Sequence, residues 1–132
     1  MKVGYKDLID AANKEITTLS LDDAQARLGS GDTVFVDIRD RRELEREGRI
    51  PGAFHCPRGM LEFWIDPDSP YHKPLFAEEG KTFVFYCASA WRSALATKTA
   101  QDMGLAPVAH VEGGFSAWKK AGLDVEEVKP KG

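Results

Sequence analysis

Two runs stand out from the polar background because they do not alternate: Thr33-Val34-Phe35-Val36-Asp37-Ile38, and residues 81–86 with Phe83-Val84-Phe85-Tyr86 at their centre. A continuous β-branched and aromatic run is the pattern of a strand covered on both faces, as in a parallel sheet. Weaker extended patterns lie at 15–19 and at 107–111. Between them the apolar spacing turns helical, over 5–13, from Leu21 to about Leu28, and over 41–47, 60–65, 92–103 and 115–121. Strands alternating with helices predict βαβ units and a parallel sheet with helices on its faces. In such sheets the ligand site lies beyond the carboxyl ends of the strands.

The caps sharpen these elements. Ser20 precedes an acidic first turn, with Leu21, Ala24 and Leu28 on one face and Gly29 as the stop. Asp40 caps 41–47, with Glu43 at the third position and Gly48 at the end. In 92–103, Leu95, Thr99 and Met103 fall on a common face ahead of Gly104. Pro51-Gly52 and Pro57 bound a short extended segment, and three prolines make 66–74 a surface loop. No repeat, low-complexity tract or linker divides the chain. The expectation is one domain over 1–132, with a core at 15–128 and an amino-terminal extension or helix at 1–14.

Composition narrows the class. The chain has 132 residues, 42% of them hydrophobic and 30% charged, and a net charge of −3. That is enough chain for one substantial core. A net negative charge without a basic cluster argues against nucleic acid. No apolar stretch approaches the roughly 18 residues that span a bilayer, and the amino terminus lacks the pattern of a secretory signal. The expected location is cytoplasmic, where both cysteines remain thiols.

Cys87 follows the second strong strand directly, in Cys87-Ala88-Ser89-Ala90-Trp91-Arg92. An unpaired cysteine behind Val84-Phe85-Tyr86 has the simple reading of a small buried hydrophobe. Its neighbours favour chemistry, because Arg92 falls where the next helix begins. A helix start offers unpaired N–H groups and the positive end of the dipole, so the loop can cradle an anion with its amides inward. Such a cradle lowers a thiol pKa from about 8.5 and makes the sulfur nucleophilic, and the Arg92 guanidinium adds charge and a fork of donors. Protein-tyrosine phosphatases place five residues between cysteine and arginine; here four intervene. The smaller ring suits one extra sulfur atom better than a phosphoryl group. Sulfur transfer leads, with phosphoryl transfer behind it.

Three ordered segments then make the chain resemble the rhodanese domain over nearly its whole length. Val36-Asp37-Ile38-Arg39, followed by Glu43, Gly48, Ile50-Pro51-Gly52-Ala53 and Pro57, is similar to that family's amino-terminal signature. Cys87 through Arg92-Ser93 resembles its active-site loop, and Val111-Glu112-Gly113-Gly114-Phe115-Ser116-Ala117-Trp118 its carboxyl-terminal signature. The resemblance implies a three-layer α/β fold, with a central, mostly parallel sheet of about five strands and helices on both faces. It also implies a sulfurtransferase in which Cys87 accepts sulfur from thiosulfate or a persulfide, and a thiol or cyanide removes it. Cys87 and Arg92 would then be catalytic, with Ala88, Ser89, Ala90, Trp91 and Ser93 lining the substrate and Asp37 and Arg39 bracing the site. No metal or organic cofactor is implied. The partners would be a small sulfur donor and acceptor, or a persulfide-carrying protein.

Ala90 departs from the glycine common at its position, so it must avoid positive φ or accept strain. Arg92 is the only charge in the loop. We therefore expect a dianion such as thiosulfate to bind weakly and a persulfide to be the better donor; an efficient thiosulfate reaction would count against this. Cys56 reads as packing rather than as a resolving thiol. His55, His72 and His110 have no spacing that gathers metal ligands or brings a base to Cys87. The charged run 40–47 reads as a solvated helix face. Phe63 and Trp64 read equally as core or, for Trp64, as an apolar lip. Two other functions stay open: an arsenate reductase or phosphatase using the same cysteine, and a binding module built on the same fold.

Overall fold

The computed structural model describes residues 1–130. The chain runs α1 (Tyr5–Glu15), β1 (Thr17–Leu19), α2 (Leu21–Ala26), β2 (Thr33–Asp37), α3 (Arg41–Glu47), β3 (Phe54–His55), a 3₁₀ turn (Arg58–Met60), α4 (Leu61–Ile65), a second 3₁₀ turn (Pro74–Ala77), β4 (Thr82–Tyr86), α5 (Trp91–Asp102), β5 (Val108–Val111) and α6 (Gly114–Lys120). The strands form a five-stranded sheet in the order β1-β5-β4-β2-β3. Every pairing in it is parallel.

Period-two alternation sorts the strand residues into two cores. Val36, Ile38, Phe83, Phe85, Cys87 and Val108 face Leu61 and Ile65 of α4 and Ala96 and Ala100 of α5. Phe35, Val84, Tyr86 and Val111 face Ala24 of α2 and Phe115 and Trp118 of α6. These are the three layers. Trp118 is fully buried, and its indole N–H donates to Asp124 O at 2.7 Å, so the largest side chain of the second core leaves no orphan donor.

Two predicted faces need correction. The buried face of α5 consists of small residues, Ser93, Ala94, Ala96, Thr97 and Ala100, rather than Leu95, Thr99 and Met103. Small side chains let α5 lie close to β4 and β5, and α1 covers its outer side, which leaves Met103 40% exposed. Phe63 is likewise no core residue, being exposed on α4, whereas Trp64 packs on Phe54 with ring centroids 5.8 Å apart.

The connection after β2 leads outward to β3, and the one after β4 leads the opposite way to β5. The chain therefore divides at the carboxyl ends of β2 and β4, where crevices form in open parallel sheets. Asp37 ends β2 and Cys87 follows β4. Ile38 N–H donating to Tyr86 O at 3.1 Å carries the pairing up to that edge.

Candidate active site

Cys87 leaves the central strand with its side chain on the α5 side of the sheet, and the residue is 1% exposed. Its Sγ accepts the backbone N–H of Ser93 at 3.3 Å. Ser93 lies in the first turn of α5, so the sulfur sits where an unpaired amide and the positive end of a twelve-residue helix point at it. The loop reaches this position through Ala90, which takes φ 73° and ψ 4°, the left-handed conformation, as the residue preceding α5. It is the one non-glycine among the described residues with positive φ. Alanine there accepts the strain, which costs about 1–2 kcal/mol against glycine.

The back of the loop is held by α6. Phe115 N–H donates to Cys87 O at 2.7 Å and Ser116 N–H to Ala88 O at 3.0 Å. This engages the loop carbonyls with the start of another helix. The close approach requires glycine: a Cβ on Gly114, whose φ is +64°, would lie 2.6 Å from Cys87 O and 2.7 Å from Ala88 O. The Gly113-Gly114 pair is a fixed seat for the cysteine loop. Of the remaining loop side chains, Ser89 is exposed and Ala88 and Ala90 are half-buried. Trp91 is 52% exposed and rests on Tyr5 of α1 with ring centroids 5.1 Å apart.

The Arg92 guanidinium does not stand free. Its Nη1 and Nη2 donate to Glu43 Oε2 and Oε1 at 2.8 and 2.9 Å, a bidentate ion pair between α5 and α3. The Arg92 hydrogen bonds hold the Glu43 carboxyl down at about 2, against the partial burial that would raise it. Glu43 raises the Arg92 pKa in turn, with a smaller contribution from Cys87. The charged run 40–47 is therefore not wholly a solvated face. Glu43 points inward while also accepting Asp40 N–H at 2.9 Å in the predicted capping box.

Asp37 and Arg39 are both fully buried. Arg39 donates from Nε and Nη2 to Asp37 at 3.0 and 2.7 Å, and from Nη2 to Gly48 O at 2.7 Å, while its guanidinium carbon lies 4.3 Å from the Phe115 ring centroid. The pair ties the end of β2 to the end of α3 and to α6. Burial raises the Tyr86 hydroxyl pKa, and Asp37 raises it further; that hydroxyl accepts Ile50 N–H at 3.0 Å.

Sequence reasoning missed His110. It is 2% exposed on β5, and its Nδ1 lies 2.9 Å from Ser93 Oγ and its Nε2 3.0 Å from Thr18 Oγ1. Burial lowers its pKa to about 4, so the ring is neutral at physiological pH. The clue was available: a histidine inside the apolar run 108–111 needs two polar partners if that strand is central. The other histidines serve elsewhere, His55 against Arg39 O and His72 against Trp64 O. Cys56 is buried, with its thiol pushed up to about 12 by burial, as suits packing.

The loop after the central strand, a buried sulfur at a helix start and the paired arginine define a cysteine-loop α/β protein. The model of the rhodanese-like domain matches residues 20–121, and the chain belongs to that family. The uncharacterized protein slr1261 of Synechocystis sp. is 35% identical over 96 residues, covering 73% of this chain and 48% of that protein. The chain thus spans about half the length of this relative. A structure from Rhodopseudomonas palustris CGA009, RPA3614, is 62% identical with a TM-score of 0.92, covering 96% of each chain. It is described as a protein of unknown function and possible tyrosine phosphatase. The polysulfide-sulfur transferase homodimer of Wolinella succinogenes is 30% identical with a TM-score of 0.70, covering 94% of this chain and 88% of that one. Among the described residues, no helix is long and apolar enough to cross a membrane.

Proposed function

We propose that the protein is a sulfurtransferase that carries sulfane sulfur as a persulfide on Cys87. The observation that supports this best is the Cys87 sulfur receiving the Ser93 amide at 3.3 Å inside a loop with only four residues before Arg92. The kinship with a polysulfide-sulfur transferase agrees with it.

In the first step the Cys87 thiolate attacks the outer sulfur of the donor. A Cys87 S–S bond forms, the donor's S–S or S–SO₃ bond breaks, and the leaving group departs as a thiolate or as sulfite. The outer sulfur then extends from Sγ by about 2.05 Å, and we assign the loop amides of Ala88, Ser89, Ala90, Trp91 and Ser93 to receive it, of which the Ser93 N–H already lies on Sγ. An anionic persulfide there meets N–H donors and the helix start. In the second step cyanide or an acceptor thiolate attacks the outer sulfur, and Sγ leaves as the thiolate, restoring the enzyme. Arg92 borders the site, and Asp37 and Arg39 hold its floor. The steps ask for no metal or organic cofactor, and the partners are a small donor and acceptor or a persulfide-carrying protein.

A paired assay tests this against phosphatase chemistry. Thiocyanate should form from a persulfide or thiosulfate plus cyanide, and the reaction should vanish in Cys87→Ser. Hydrolysis of p-nitrophenyl phosphate by Cys87 without thiocyanate formation would overturn the reading in favour of phosphoryl transfer, and neither activity would leave the fold as a binding module.

A further inference from the structure

From the bidentate ion pair between Arg92 and Glu43 we infer that Glu43 sets the charge of the donor this site accepts, favouring thiol persulfides over the dianion thiosulfate. The inference rests on the sulfur-transfer reading and adds to it the residue that imposes the preference for a persulfide donor.

Arg92 is the only charged residue among the loop positions 87–92. A guanidinium offers five N–H donors in a planar fork, and its value for a dianion lies in presenting them together with an uncompensated charge. Here a donor on each Nη goes to a Glu43 oxygen. The carboxylate cannot simply follow the arginine toward a ligand, because Oε2 also accepts Asp40 N–H in the first turn of α3. Thiosulfate on the remaining Arg92 donors would meet a guanidinium whose charge Glu43 already neutralises, and would stand as a dianion beside that carboxylate.

The other cation that acts on Glu43, Arg39, is itself paired with Asp37. The Ser93 amide and the start of α5 remain, and they supply partial positive charge suited to one anionic sulfur. A thiol persulfide offers a single anionic sulfur and a leaving group whose remainder can stay outside. The half-exposed Trp91 on Tyr5 borders that outside with an apolar surface. Glu43 remains ionised throughout the neutral range, so the selectivity is permanent rather than switched.

The test is the second-order rate of Cys87 persulfide formation with thiosulfate and with cysteine persulfide, in wild type, Glu43→Gln and Glu45→Gln. Glutamine keeps the size of Glu43 and an oxygen for Asp40 N–H but removes the charge. In wild type, cysteine persulfide should react faster by a factor of roughly 100 or more, and Glu43→Gln should raise the thiosulfate-to-persulfide rate ratio by about 10-fold or more, less at high salt. Glu45→Gln makes the same change in net charge on the same helix and should leave the ratio in place. An unmoved ratio in Glu43→Gln, an equal shift in Glu45→Gln, or thiosulfate matching the persulfide in wild type would overturn the assignment of Glu43. Should Glu43→Gln fold poorly, the wild-type comparison and Glu43→Asp, which should move the ratio in the same direction by less, still decide it. Loading of Cys87 by neither donor would instead remove the sulfur-transfer reading.

Discussion

Two residues carry measurable strain or dependence beside the sulfur. Ala90 holds a left-handed conformation that glycine adopts at little cost. Ala90→Gly should therefore stabilise the fold by about 0.5–1 kcal/mol, after allowing for glycine's greater freedom in the unfolded chain, and thermal unfolding should rise by a few degrees. A fall in the midpoint would show that the loop is not strained there. Asp37 is the opposite case, since it neutralises a buried guanidinium through several hydrogen bonds. Asp37→Ala leaves Arg39 charged and without that partner, and urea unfolding should report a loss of about 3–5 kcal/mol. A loss below about 1 kcal/mol would show that the pair is dispensable to the fold. Both residues were singled out in the sequence, Ala90 by its departure from glycine and Asp37 by the resemblance. Their consequences depend on φ and burial, which a single sequence does not print.

At the scale of elements, the site is made where α3, α5 and α6 meet the carboxyl ends of β2 and β4. The contact between α6 and the cysteine loop leaves no room for a side chain at Gly114. Gly114→Ala should push the loop off the α6 amides and lower the rate of Cys87 loading by at least ~10-fold, while Gly122→Ala, with open space at its Cβ, should spare loading. An undiminished rate in Gly114→Ala would separate the seat from function. The strong strands, the cap at Asp40 and the carboxyl-edge location of Cys87 were legible because each rests on local pattern. The buried face of α5 was not, because close packing selected its alanines, serine and threonine over larger apolar residues one step around the helix. Glu43 and His110 were missed as site neighbours for a related reason. Their partners, Arg92 and Ser93, lie 49 and 17 positions away, and only the sheet order brings them together.

For the whole molecule, the buried polar groups make stability depend on pH in two separate windows. His110 is held neutral, with its pKa lowered to about 4 from an ordinary 6.5, so between these values the unfolded chain binds a proton that the folded one does not. Stability should fall as pH drops from 6.5 toward 4, by up to ~3 kcal/mol, and His110→Gln should flatten that slope. Glu43 acts lower: its contribution is present above 4.5 and is lost as pH falls toward 2. Denaturant titrations at pH 7, 5 and 4 check the first window, and an identical slope in His110→Gln would refute its cause. The membership of the rhodanese-like family fits this architecture, and the proposed chemistry turns on one atom, Cys87 Sγ. Intact mass after incubation with a persulfide donor tests it most directly. A gain of one sulfur atom per chain is expected, located on the Cys87 peptide, retained in Cys56→Ser, lost on cyanide or dithiothreitol treatment and absent in Cys87→Ser. An unchanged mass with every donor, or a sulfur that persists in Cys87→Ser, would contradict it.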